Sequence, residues 1–167
     1  MKLHQLMIMD ACVLIDFIHG DPKLFKLISS HIGPIFVATP VVEEVDSIHS
    51  IKELESLGLI PFEPDIDDLF SADAMSGQTS FQDNLCFLIA KRQGFTCISN
   101  DKVLRKKCID SNISVVWGLE LLLWLRKANG ITSMEAIRIA REIQKTNPRH
   151  ISITILKDFE AKAESFE

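Results

Sequence analysis

The sequence predicts an α/β fold: three α/β/α layers around a central, mostly parallel sheet of four to five strands, with a helical C-terminal extension. Three observations predict it. Short apolar runs at residues 35–38, 95–99 and 113–117 alternate with longer helix-patterned stretches, the mark of βαβ units. Those runs are short and mostly apolar, as expected of strands in a parallel sheet covered on both faces. Carboxylates also stand where two of the strands should end, at Asp10 and Asp101.

Taken in order, residues 3–9 form an apolar run ending at Asp10, and residues 11–18 continue as a helix. Residues 35–38 read as a buried strand, after which Thr39-Pro40 should open a helix with Thr39 as its N-cap and Pro40 at the first helical position. Residues 59–62 read as a short extended piece, 66–75 as a helical connection and 77–80 as a loop. A helix over 81–93 is closed by Gly94. Strand 95–99, helix 101–109, strand 113–117 and helix 118–128 follow, the last stopped at Asn129-Gly130. Two tail helices are expected, with Ser133 and Asn147-Pro148 as their start signals, although residues 151–155 alternate like a strand. The expected organisation is an α/β domain over 1–128 and a helical extension over 129–167, packed on the same domain.

Composition narrows the class. A chain of 167 residues, 47% hydrophobic and 25% charged, can bury a core without disulfide or metal staples. Cys12, Cys86, Cys97 and Cys108 have no zinc spacing and sit in or beside apolar runs, so they read as buried free thiols suited to a reducing compartment. The N-terminal run is cut by Asp10 and Asp16 and makes a poor signal peptide, and residues 119–125 are too few to span a bilayer. A cytoplasmic, membrane-free protein is expected. The net charge of −5 opposes nucleic acid only if spread evenly; setting aside four clustered acids leaves −1 on the rest.

In an open parallel α/β sheet, ligands bind beyond the carboxyl ends of the strands. Asp10 and Asp101 lie there directly, Glu44 follows the second strand, and Asp83 begins the helix that runs back to feed the next one. Each acid alone has a structural explanation as a helix cap or a complement to a helix N-terminus. Glu44 is harder to explain this way: at about 100° per residue it falls within the arc of Val41, Val42, Val45, Ile48 and Ile51, whereas Glu43 points to solvent. Four carboxylates on one rim repel each other, and a hard divalent cation resolves the conflict. All-oxygen ligation without His or Cys suits Mg²⁺ or Mn²⁺, and such ions suit phosphodiester hydrolysis.

The pieces MIMDACVLIDF, VATPVVEEV, SFQDNLCFLIAKRQG and CISNDKVLRKKC resemble, in order and spacing, the blocks of the PIN-domain family over about residues 3 to 128. The remainder resembles a PIN subfamily with added C-terminal helices. The family pattern falls on Asp10, Glu44, Asp83 and Asp101 as catalytic and metal-holding residues, with Ser99 and Asn100 completing the last step. The resemblance implies an Mg²⁺- or Mn²⁺-dependent endoribonuclease, often the toxin of a toxin–antitoxin pair bound by a small antitoxin, and often a homodimer. Where that family often has a small polar residue after the first Asp, this chain has Cys12 and Val13.

The expected chemistry is in-line attack of activated water on the scissile phosphate, leaving a 5′-phosphate. Asp10, Asp83 and Asp101 would hold the metal, and Glu44 a second ion or the attacking water; one ion and two remain equally open. Lys102, Arg105 and Lys106 form a basic stripe after Asp101, and Lys91 and Arg92 end the helix begun near Asp83. These are the candidate RNA contacts, read against the plainer alternative of solvated helix faces. Trp117, Trp124 and residues 121–123 read as core or interface, and the five histidines show no ligand spacing. A phosphatase with an aspartyl-phosphate would want a second Asp where Cys12 stands. The main alternative is a non-catalytic PIN-like module that binds RNA or protein.

Overall fold

β1 (Met7–Met9) is a strand of only three residues, paired along both edges and with all three side chains 0% exposed. The computed structural model describes residues 4–75 and 77–166. Leu3, expected to open the first apolar run, lies outside the described residues. After β1 come α1 (Ala11–Gly20), α2 (Leu24–His31), β2 (Ile35–Ala38), α3 (Thr39–Val42), α4 (Ile51–Ser56) and β3 (Ile60–Phe62). The second half runs α5 (Ile66–Ala74), α6 (Phe81–Gln93), β4 (Thr96–Ile98), α7 (Lys102–Asp110), β5 (Val115–Val116) and α8 (Gly118–Lys127). Two further helices, α9 (Ser133–Thr146) and α10 (Ile153–Glu164), form the C-terminal extension.

All strand pairings are parallel, and the five strands lie in the order β3-β2-β1-β4-β5. The chain therefore winds outward from β1 in one direction, then crosses back to continue on the other side. That reversal places a topological switch point between β1 and β4, where Met9 pairs with Ile98. The α/β/α architecture agrees with the sequence expectation, including the number of strands.

Local chemistry explains most element ends. Asp10, Ser80 and Asp101 cap α1, α6 and α7 by accepting the Val13, Asp83 and Leu104 backbone N–H groups. Gly94 ends α6 at φ +70°, a left-handed position that costs glycine little.

Several expectations need correction. Helix α2 went unread because Pro22 and the Ser29-Ser30 pair masked a short amphipathic segment. The helix expected from Thr39 through Ile51 breaks after Val42. Thr39, Pro40 and two valines are weak helix formers, and Ser50 starts a separate helix by accepting the Glu53 N–H. Ala38, not Thr39, is the α3 N-cap; the Thr39 hydroxyl instead donates to Glu63. Glu44 consequently lies in an exposed turn, so the buried-arc argument for it fails. In the tail, Thr132 caps α9 in a reciprocal capping box with Glu135, and Ser133 is its first residue. Asn147 closes α9 rather than opening α10, which Ser152 caps.

The extension packs closely on the sheet domain. Helix α9 lies on α1, where a Cβ at Gly20 would come within 2.9 Å of Ile143, and α10 covers α8 and α9. No helix among the described residues is long and apolar enough to cross a membrane.

Candidate metal and phosphate site

At the switch point, the first residue after β1 and the first after β4 meet. Asp10 is 2% exposed, and Ser99 is fully buried beside it. One carboxylate oxygen of Asp10 accepts the Val13 N–H at 3.0 Å, and the other accepts the Ser99 hydroxyl. The same Ser99 oxygen accepts the Asp101 N–H at 3.0 Å, while Asp101 caps α7 through Leu104 N–H at 2.7 Å. Ser99 thus fixes both acids with one side chain.

Burial pushes the Asp10 carboxyl up to about 7, opposed by the Ser99 and Val13 hydrogen bonds and reinforced by the charges of Asp83 and Asp101. Asp83, in the first turn of α6, is raised by burial and then by Asp101. Glu44 is raised by partial desolvation and then by Asp83. Asp10, Glu44 and Asp83 therefore each feel the charge of at least one other acid of the set. Among the described residues, however, no three His, Cys, Asp or Glu side chains are gathered closely enough to form a preassembled metal cage.

The donor chemistry still fits a hard cation. The groups are all oxygen, they repel one another, and a carboxyl held near neutrality gains from a positive charge. Mg²⁺ characteristically keeps several waters and binds through one or two carboxylates, so a closed protein cage is not its requirement. Asp10, Asp83 and Asp101 are the residues that would hold it.

Cys12 departs from expectation: it is exposed, while Cys86, Cys97 and Cys108 are buried. Desolvation of its thiol, followed by the charges of Asp10, Asp83, Asp16 and Asp101, pushes it up to about 12. A neutral thiol therefore borders the acidic rim.

Asn100 does not face the acids. Its amide nitrogen donates to Asp16 at 3.2 Å and its oxygen accepts the Gly118 N–H at 3.0 Å. Asp16, only 4% exposed, also receives the Asn147 amide at 3.1 and 3.3 Å. This carboxylate was missed as a site residue. The signal was present in an acid between Ile15 and Phe17 on an otherwise apolar helix, because a buried carboxylate needs donors. Burial raises it, against the Asn147 hydrogen bond, the nearby His150 and His19, and the Asn100 hydrogen bond.

The proposed RNA-contacting cations separate into two groups. Arg92 pairs with Asp65 at 2.9 Å and with the buried Asp68, fastening α5 to α6. It and Lys91 stand at the C-terminal end of α6, away from the acidic rim, and drop out of the set. Lys106 pairs with Asp110 at 2.5 Å. Arg105 lies 3.9 Å from the Trp117 ring centre and donates to the Ser99 carbonyl at 3.4 Å. Lys102 begins α7, is exposed, and forms no ion pair among the described residues.

Two measurements follow. The native state holds the Asp10 proton up to about pH 7, whereas an unfolded carboxyl loses it near 3.8. Stability of the metal-free protein should therefore fall as pH rises through that window, by at most about 4 kcal/mol from this group. Urea unfolding in EDTA at both ends of the window checks the sign; Asp10→Asn should flatten the slope, and Mn²⁺ should restore stability at neutral pH. Asp16→Ala should lower stability by about 1–3 kcal/mol, because the Asn100 and Asn147 amides lose their acceptor. An unchanged unfolding midpoint would show that water replaces the carboxylate without loss.

No protein-family model and no curated protein sequence matches the chain. Among solved structures, it is similar to a PilT N-terminus domain protein from the hyperthermophilic archaeon Sulfolobus solfataricus P2. The TM-score is 0.53 at 14% sequence identity, covering 72% of this chain and 93% of that one. At that identity the likeness is one of fold, and the sheet domain described above has the PIN-like α/β/α architecture.

Proposed function

We propose that the chain is an Mg²⁺- or Mn²⁺-dependent endoribonuclease whose working edge is formed by Asp10, Glu44, Asp83 and Asp101. The observation that carries this reading is Asp10: a buried carboxyl at the switch point, held near neutrality and surrounded by further acids. Burying such a group is costly unless something positive uses it, and divalent ions with phosphates are the common partners of such edges.

In this reading the ion supplies positive charge to the scissile phosphate and its attacking water. Asp10 and Asp101 are oriented for ligation by Ser99 and by their capping bonds, so little reorganisation is needed. Glu44, exposed and raised in pKa, is suited to take a proton from the attacking water. The water oxygen bonds to phosphorus as the bond to the 3′-oxygen breaks, and the leaving 3′-oxygen takes a proton from solvent, giving a 5′-phosphate and a 3′-hydroxyl. Lys102 and Arg105 attract the RNA backbone from the start of α7. From the resemblance, we extend the reading to a toxin role with a small antitoxin over the acidic edge, and to a homodimer.

A second reading, a PIN-like RNA- or protein-binding module without catalysis, is favoured by one observation: the acids do not close into a group of three among the described residues. Incubation with a labelled RNA panel in Mn²⁺, Mg²⁺ or EDTA separates the two. Cleavage that needs metal, yields 5′-phosphate ends and vanishes in Asp10→Asn/Asp101→Asn supports the nuclease. Ser99→Ala should reduce it by about 10- to 100-fold, as losing a supporting hydrogen bond to a ligand does. Folded protein that cleaves nothing in any metal would move the assignment to the binding module.

A further inference from the structure

Beside the acidic edge, α8 and α10 enclose a groove of about 620 Å³, within the range of about 300–1,000 Å³ seen for ligand pockets. Its lining includes Asn100, Trp117, Trp124, Lys127, His150 and Phe166. We propose that this groove receives a nucleobase of single-stranded RNA, next to the nucleotide whose phosphate lies on the acidic edge. The proposal rests on the nuclease reading and adds a substrate subsite to it.

Continuity with the acidic edge is the first argument. Asn100 lines the groove and stands in the chain between Ser99, which holds Asp10, and Asp101. Its amide is fixed at both ends, by Asp16 and by Gly118 N–H, so the groove and the edge share a rigid wall. Arg105 is the second link. Its guanidinium lies over one face of the Trp117 ring, 3.9 Å from the ring centre, and reaches the Ser99 carbonyl, tying the indole to the acid-bearing step and leaving the other face for a base.

The second argument is the character of the lining. Trp117 remains 37% exposed and Phe166 38%, while Trp124 is half-buried. Exposed aromatic rings beside cations are the platform on which single-stranded bases stack, since every base offers a π-face. Lys127 lies 6.0 Å from the Phe166 ring centre.

Charge then decides which part of a nucleotide fits. Glu120 and Asp158 also line the groove, and Lys162 is engaged with Asp158 at 2.7 Å. With Lys127 and Lys162 also in the lining, these acids leave the groove without net positive charge, so it offers a phosphate no electrostatic attraction. A neutral base is not repelled, and its exocyclic amino groups can donate to carboxylates. The phosphate belongs outside, beside Lys102 and the acidic edge. A nucleotide would thus be divided between base in the groove and phosphate at the rim.

The chain has only two tryptophans, and both line this groove, so tryptophan emission reports its occupancy. The full-length protein would be titrated in Ca²⁺ with a mixed-sequence hexaribonucleotide and with an abasic hexamer carrying the same phosphates. Anisotropy of labelled copies would report binding in separate samples. The expected result is quenching by the intact hexamer alone, and binding about 5- to 150-fold tighter than that of the abasic one. Trp117→Ala should remove most of this preference, Trp117→Phe should retain part of it, and circular dichroism would check that both fold. Binding with unchanged emission and equal affinity for both hexamers would overturn the base subsite, leaving the groove to a protein partner. Cleavage in Mn²⁺ tests the underlying reading separately. Base-dependent quenching by a protein that cleaves no RNA would keep the subsite and sink the nuclease.

Discussion

The buried carboxylate of Asp10 is the constraint around which the rest is arranged. A charge taken out of water at the end of a central strand must find donors, and here they come from two directions. Val13 N–H comes from the helix that Asp10 itself begins, and the Ser99 hydroxyl comes from 89 residues further along the chain. The second donor is available only if β4 lies directly beside β1. Sheet order and site assembly are therefore the same fact. A slip of one residue in the Met9–Ile98 register would turn Ser99 to the other face and leave Asp10 short of a donor.

A second buried carboxylate extends that logic to the C-terminal helices. Asp16 lies six residues along α1 from Asp10, about 9 Å at the rise of a helix. It gathers Asn100 from the end of β4 and Asn147 from the end of α9. Helix α1 consequently bears on the acidic edge at its start and on the extension further along. The extension is joined through polar groups to the same Ser99–Asn100–Asp101 step that orders the acids. Its apolar contact, Ile139 and Ile143 against Gly20, supplies area; the Asp16 amides supply register.

What was legible in the sequence was local. The run at 95–99, the helix at 81–93 with its terminal Gly94, and the helix following Asp101 needed only periodicity and cap chemistry, and they stand within a residue or two of expectation. The α3 break was not legible, because the apolar spacing of Val41, Val45 and Ile48 satisfies a helical wheel even though a turn carries those residues inward just as well. Arg92 looked free for the same reason: its partners Asp65 and Asp68 are distant in sequence, and only packing of α5 on α6 brings them together. Trp117 was read as core or interface; it is not core, since it follows β5 at the end of the sheet and stays 37% exposed.

Asp10 and Asp101 perform the structural roles first offered as alternatives to function, and those roles are compatible with the proposed one. Asp10 and Asp101 each commit one oxygen to a helix N-terminus. A capping bond worth about 1 kcal/mol helps order the helix. It also removes the carboxylate's rotational freedom, so the second oxygen is aimed before any ligand arrives. In Asp10 that oxygen is already steered by Ser99, and in Asp101 the backbone N–H beside the cap is held by the same hydroxyl. Asp83, in the first turn of α6, and Glu44, in an exposed turn, receive no such bracing from the β4 step. In the proposed reading, two braced acids and two unbraced ones would accept an ion without forming a finished cage, in keeping with the absence of a closed group among the described residues.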